Sequence, residues 1–204
     1  MKIVLASNNP HKIKEIRAIL RRDISDKIEL LSLADIGFSA EIAETGATFE
    51  ENALIKARAV SAYGYPSMAD DSGLEVEALK GAPGVHSARY AGEPCNDERN
   101  NRKLLAALEG VPKSQRTARF VSVIALVLPE KQKEFTVRGE CAGKILTDYK
   151  GTAGFGYDPL FLYEPLGKTF AELSDDEKNS VSHRAEAFRR FSEELKKRIQ
   201  SIQR

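Results

Sequence analysis

Ala118-Arg119-Phe120-Val121-Ser122-Val123-Ile124-Ala125-Leu126-Val127-Leu128 is apolar at odd and even positions alike. A strand with water on one face alternates in polarity. This one does not, so it reads as a central strand covered on both faces. Glu134 to Cys141 alternates more and is expected to pair with it. Leu160 to Tyr163 is a further short strand. Upstream, Lys2 to Ala6 and Ile28 to Leu33 read as strands, and Ser67 to Ala69 as a short one. Between them lie helical patterns. Asn9 is a natural N-cap and Pro10 suits a first turn, with Ile13, Ile16, Ile19 and Leu20 on one face of a helix ending near Arg22. Thr48 and Glu51 form a capping-box pattern that opens a helix from Phe49 to Tyr63, on which Asn52, Lys56 and Val60 share a face. Asn96 or Asp97 caps a helix carrying Leu104, Leu105 and Leu108 before Gly110. Ser182 caps a long amphipathic helix through Phe188, Phe191, Leu195, Ile199 and Ile202. The order of elements predicts an α/β protein with a mixed sheet and flanking helices. No repeat or linker divides the chain, so residues 1–204 are expected to form a single domain, with a cleft between two lobes of one sheet system.

The 204 residues carry a net charge of +1, with 42% hydrophobic and 30% charged side chains. That balance argues against a broad basic nucleic-acid footprint. No apolar run approaches the ~20 residues of a membrane span, and the start of the chain lacks the pattern of a signal peptide. Cys95 and Cys141 are far apart in sequence and without a CxxC partner, which fits reduced thiols in a cytoplasmic protein better than the alternative, a disulfide between them.

Four segments can carry chemistry. Ala69-Asp70-Asp71-Ser72-Gly73-Leu74 places two acids at the end of a short apolar run, closed by a Ser-Gly turn. Adjacent carboxylates repel, so a metal ion or a lysine from elsewhere in the fold must offset them. Glu44 and Lys56 are the partners expected to join Asp70 and Asp71 around a metal and a phosphate chain. Ser7-Asn8-Asn9-Pro10-His11-Lys12 sits between a strand and a helix, where free backbone N–H groups, the helix dipole and the Lys12 ammonium favour an anion. Gly151-Thr152-Ala153-Gly154-Phe155-Gly156-Tyr157-Asp158-Pro159 allows close backbone approach to a flat ligand, with Phe155 as a stacking surface. Glu177-Lys178-Asn179 precedes Ser182-His183-Arg184, whose donors suit a carbonyl oxygen on a base. Each segment alone also reads plainly: a solvated acidic turn, a capped strand-to-helix turn, a glycine-rich turn with core aromatics, a capped helix. Gly167-Lys168-Thr169 is not a Walker loop, because Leu162 stands where its leading glycine belongs. His11, His86 and His183 lack metal-ligand spacing.

Taken in order, the segments Ser7-x-Asn9-x-x-Lys12-x-x-Glu15, Glu44-Thr45-Gly46-x-Thr48-Phe49-x-Glu51-Asn52-Ala53 with Lys56-Ala57, and Ala69-Asp70-Asp71-Ser72-Gly73-Leu74 resemble the inosine triphosphate pyrophosphatase family (Ham1/RdgB-like). Gly81-Ala82-Pro83-Gly84-Val85-His86-Ser87-Ala88-Arg89-Tyr90, Gly154-Phe155-Gly156-Tyr157-Asp158-Pro159 and Ser182-His183-Arg184 extend the resemblance over nearly the whole chain. His11 departs locally, where bacterial relatives often have glycine. The resemblance implies an elongated mixed β-sheet with helices, two lobes around a central substrate cleft, a homodimer and a need for Mg²⁺. It implies hydrolysis of deaminated purine nucleoside triphosphates (ITP, dITP, XTP) to a monophosphate and pyrophosphate, which cleanses the nucleotide pool.

Residue by residue, it makes Asp71 the catalytic acid and a metal ligand, with Asp70 as the other candidate for activating water. Glu44 becomes the second metal carboxylate, with Glu41 as an alternative register. Ser7, Asn8, Asn9, Pro10, His11 and Lys12 would hold phosphates, assisted by Lys56. Ser72, Phe155, Gly156, Tyr157, Asp158, Lys178, His183 and Arg184 would surround the nucleoside. Rival readings are a Maf-like pyrophosphatase for modified pyrimidine nucleotides, a nucleotide-binding regulatory module without turnover, and a nucleic-acid-binding module. The Asp-Asp-Ser-Gly and Ser-His-Arg segments oppose the first, the acids Glu44 and Asp71 the second, and the near-neutral charge the third.

Overall fold

The computed structural model describes residues 1–23 and 28–200. Seven strands are ordered β2-β1-β3-β4-β5-β6-β7 in a mixed sheet. They are β1 (Lys2–Leu5), β2 (Glu29–Leu31), β3 (Ser67–Val76), β4 (Thr117–Leu128), β5 (Lys133–Ile145), β6 (Phe161–Tyr163) and β7 (Lys168–Thr169). The helices are α1 (Pro10–Asp23), α2 (Phe49–Ser61), α3 (Asp97–Ala107), α4 (Asp175–Val181) and α5 (His183–Gln200). The chain divides into two compact units: residues 1–71, 122–139 and 184–204 form the first, and residues 72–121 and 140–183 the second.

In the first unit β1 pairs in parallel with β2 on one side and β3 on the other. Parallel neighbours need crossovers, and α1 and α2 supply them. Asn9 caps α1 by accepting from the amides of His11 (3.0 Å) and Lys12 (3.1 Å). Thr48 caps α2 through Glu51 N (3.2 Å), while the Glu51 carboxylate reaches back to Ala47 N (2.6 Å), one residue beyond the expected box. The core gathers Ile3 and Leu5 of β1, Ile16 and Ile19 of α1, Met68, Ile124, Leu126, and Phe188 and Phe191 of α5. Ile202 and the Ile199 side chain, assigned to the apolar face of the last helix, lie outside what the structure describes. In the second unit β5, β6 and β7 run antiparallel in turn, with Ile145 opposite Phe161 and Leu162 opposite Thr169. Its core packs Leu74, Leu104, Leu108, Phe120, Phe161 and Phe170.

The central-strand reading of Ala118–Leu128 holds: β4 is fourth of the seven strands, and Phe120 through Val127 are all buried. Two expectations differ. The strand through the paired acids does not stop at a Ser-Gly turn but continues through Ser72, Gly73 and Leu74 to Val76. The other is a helix that the sequence reading did not place: Glu177-Lys178-Asn179 lies in α4, whose capping box joins the Ser174 hydroxyl to Glu177 N and the Glu177 carboxylate to Ser174 N.

Gly143 leaves no room for a side chain, since a Cβ there would meet the Leu162 carbonyl oxygen and lie 2.6 Å from Cζ of Phe161. Gly143→Ala is expected to cost about 1–3 kcal/mol through overpacking, read as a lower urea midpoint.

Candidate active site

Adjacent residues of a strand point to opposite faces, so Asp70 and Asp71 of β3 face different surroundings. Asp70 is 1% exposed. Its Oδ2 lies 3.0 Å from Lys12 Nζ on α1 and 3.2 Å from an Arg184 guanidinium nitrogen on α5. Its Oδ1 accepts a 2.6 Å hydrogen bond from the Ser122 hydroxyl of β4. Burial opposes its charge, yet Arg184 and Lys12 overcome that and hold the Asp70 carboxyl well below the usual range. Arg184 is itself buried and paired with Glu15 of α1. Glu15 stands three residues after Lys12, so both project from one side of the helix.

Asp71 meets α2 instead. Lys56 Nζ lies 2.7 Å from Asp71 Oδ1 and 2.9 Å from Glu44 Oε1, and it donates to the Asp70 carbonyl oxygen at 3.0 Å. These three contacts use all three donors of an ammonium. Burial pushes the Asp71 carboxyl above its ordinary range, against the opposing pull of Lys56 and Lys12. Burial would lower the Lys56 pKa, but Asp71 and Glu44 outweigh it and raise it. The two neighbouring acids are therefore unlike: Asp70 is a fixed anion and Asp71 a carboxyl with raised proton affinity. Glu44 is presented by the turn before α2. Gly46 allows it, because a Cβ there would lie 2.6 Å from the Glu51 Cβ, and Asn52 Oδ1 accepts the Gly46 amide at 2.8 Å. Glu41 is exposed.

Among the described residues no three His, Cys, Asp or Glu side chains form a metal-holding group. Glu44 and Asp71 nonetheless converge on one cation, the Lys56 ammonium. Two carboxylates suit Mg²⁺, which keeps waters and completes its shell with substrate phosphates rather than with an all-protein cage.

The turn before α1 departs from its expected form. The amides of His11 and Lys12 are taken by Asn9 Oδ1, and that of Asn9 by the Ser7 hydroxyl (3.2 Å). The turn is thus built to place Lys12 rather than to present bare N–H groups. Asn8, Pro10 and His11 are exposed.

The second unit holds the aromatic segment. Asp158 Oδ2 accepts from Phe155 N at 2.9 Å and pairs with Lys178 Nζ at 2.6 Å. The Lys178 ammonium sits 4.9 Å from the centre of the half-buried Phe155 ring. The His183 ring stacks on Phe120 at 4.8 Å. Tyr157 is in the core and donates from its hydroxyl to the Ser87 carbonyl oxygen at 2.8 Å. Gly156 is held by Asp97 and Asn101 of α3. Ser72 is half-buried on β3. Thus Lys12, Glu44, Lys56, Asp70, Asp71 and Arg184 are linked in the first unit, and Phe155, Asp158 and Lys178 in the second.

Sequence reading assigned no role to Glu15, Ser122, Asp97 or Asn101. Ser122 had a visible signal, a lone hydroxyl inside an apolar strand, and Glu15 had its helical spacing from Lys12. Asp97 was read only as an alternative to Asn96 for the helix cap, which Asn96 supplies, and Asn101 carried no signal beyond sharing a helix face with it.

A model of the Ham1 family matches residues 3–194. The dITP/XTP pyrophosphatase of Elusimicrobium minutum is 50% identical over 198 residues, covering 96% of this chain and all of the relative. That of Bacillus subtilis is 48% identical over 193 residues, covering 94% of this chain and 96% of the relative. Among solved structures, a Ham1 protein from Coxiella burnetii superposes with a TM-score of 0.87 at 41% identity, over 97% of this chain and 99% of that one. The Staphylococcus aureus Ham1 protein gives 0.85 at 39% identity, over 97% of this chain and 100% of its own.

The two acids are expected to separate in stability measurements. Asp70→Asn removes a counter-charge of the buried Arg184 and the half-buried Lys12 and should cost about 3–5 kcal/mol. Asp71→Asn should cost less, because Glu44 still pairs with the Lys56 ammonium once the Asp71 charge is gone. Equal losses for the two variants in urea denaturation would contradict these assignments.

Proposed function

The chain belongs to the Ham1 family, and from that premise we propose that it hydrolyses deaminated purine nucleoside triphosphates, ITP, dITP and XTP, to the monophosphate and pyrophosphate. The observation that carries this reading is the convergence of Asp71 and Glu44 on Lys56 beside the fixed Asp70. A regulatory module needs no such pair of carboxylates, one buried and one half-buried, on a single lysine.

Phosphoryl transfer demands placement and charge neutralisation more than covalent chemistry. Glu44 and Asp71 would hold Mg²⁺, which when bound supplies positive charge to phosphate oxygens. Asp71 takes a proton from the water that attacks the α-phosphorus, a role supported by its place on β3 beside Lys56 and Glu44. As the new oxygen–phosphorus bond forms, the bond from the α-phosphorus to the bridging oxygen breaks. Lys12 stabilises the departing pyrophosphate, and Lys56, whose three donors are engaged by Asp71, Glu44 and the Asp70 carbonyl oxygen, assists through its charge. Ser7, Asn8, Asn9, Pro10 and His11 form the turn that carries Lys12. Asp70 lacks spare basicity. It anchors Lys12 and Arg184, each of which it contacts.

Phe155 stacks on the base, with Gly156, Tyr157 and Asp158 shaping its loop and Ser72 and Lys178 completing the nucleoside site. His183 and Arg184 offer donors to a 6-oxo group. Adenine presents an amino group there, and donors facing a donor go unpaired. Sites built on such bonds can discriminate by ~10⁴–10⁵-fold. Glu15 and Asp70 hold the Arg184 guanidinium in place.

The activity is assigned to residues 1–204 as one domain. We place it in a homodimer, on the family's habit, and in the cytoplasm, on the two free cysteines Cys95 and Cys141. No helix among the described residues is long and apolar enough to cross a membrane.

A panel of triphosphates assayed with Mg²⁺ tests bond and base together. ITP, dITP and XTP should yield pyrophosphate, ATP little, and EDTA should stop turnover. Release of orthophosphate would refute the bond assignment. Asp71→Asn should lose ~10²–10⁴-fold in kcat; unchanged turnover would remove Asp71 from the mechanism. Arg184→Ala should narrow the preference for ITP over ATP.

A further inference from the structure

We propose that Asp97 and Asn101 of α3 are positioning residues for base recognition, which clamp the Gly156 peptide groups and so set the plane of the Phe155 ring. The proposal rests on Phe155 as the stacking surface and extends the site to α3. Asp97 and Asn101 are four residues apart and share a helix face. Asp97 Oδ2 accepts the Gly156 amide at 2.7 Å, and Asn101 Nδ2 donates to the Gly156 carbonyl oxygen at 2.9 Å.

The amide of Gly156 belongs to the peptide that follows the Phe155 Cα. The peptide that precedes it ends in the Phe155 amide, which Asp158 Oδ2 accepts at 2.9 Å. Both peptide planes around one Cα are thus tied to carboxylates, and this fixes the direction in which the Phe155 side chain leaves the backbone. External restraint is needed here. Gly154 and Gly156, with φ of 76° and 61°, flank Phe155, and glycine has no conformational preference strong enough to hold a ring at one angle. Asn101 holds its place at a cost: it is 3% exposed, and its Oδ1 is buried without a partner among the described residues. A residue retained only for packing would avoid an unsatisfied acceptor.

The test compares ITP kinetics with inhibition by inorganic tripolyphosphate, which has no base to stack. Asp97→Ala should raise KM for ITP roughly tenfold, the lower end for losing a hydrogen bond to a charged group, and Asn101→Leu about two- to tenfold for a neutral one, with kcat changed less. Inhibition by tripolyphosphate should stay at the wild-type level, and Asp97→Asn, which keeps an acceptor, should restore most of the loss. An unchanged KM for ITP would overturn the clamp. So would a parallel weakening of tripolyphosphate, the mark of general structural damage. Asp97 is exposed, so its alanine variant decides the matter if Asn101→Leu fails to fold. Wild-type turnover of ITP, measured first, judges the functional reading. A wild type inactive on ITP fells both, whereas an active wild type with indistinguishable variants fells the clamp alone.

Discussion

The first unit depends on one constraint: two neighbouring carboxylates in a buried stretch of strand must each find positive charge without sharing it equally. The pleat resolves this. It turns Asp70 toward Lys12 and Arg184, and Asp71 toward Lys56. Two buried anions on one face would repel each other and compete for the same cations. On opposite faces each has its own environment, and the environments push their proton affinities apart. A fixed anion and a carboxyl able to accept a proton thereby arise from one dipeptide.

Burying that many charges is costly unless every member is paired. Glu15 has its place for this reason: Arg184 is buried, and Asp70 must also serve Lys12, so a second carboxylate balances the guanidinium. The planar fork of arginine can address two carboxylates at once, which a lysine at the same position would do poorly. Ser122 completes the set with a donor that brings no charge. Because α1, α5, β3 and β4 all contribute, this network also restrains the elements of its unit, with Lys12 one of its structural cations.

The second unit uses neutral and aromatic contacts where the first uses charge. Its loop uses glycine where backbone comes close to backbone, since a Cβ on Gly151 would meet the Ala171 carbonyl carbon, and glycine does little to define the shape of the chain there. Asp158 supplies much of the definition: a Cβ on Gly154 would strike its carboxylate, which already holds Phe155 N and Lys178. The loop, α3 and α4 are consequently interdependent, and an aromatic surface can be rigid while carried by flexible backbone.

Much of this was legible in the order of residues. Uninterrupted apolarity marked β4 as central, and caps at Asn9, Thr48 and Asn96 marked helix starts, because these are local effects of side chains on nearby backbone. Lys56 and Glu44 were named as partners of the paired acids, and Lys56 does bridge Glu44 and Asp71. What a linear reading misplaced was the Ser-Gly turn, since Ser72 and Gly73 continue a strand once neighbours cover it, and the backbone amides at α1, which Asn9 consumes. The types of groups available, and the helices and strands carrying them, were thus set by the chain itself. Which of two adjacent acids stays charged, which cation holds it, and which helix steadies the Phe155 loop were decided only by folding, because burial and the distances between residues far apart in sequence exist in three dimensions alone.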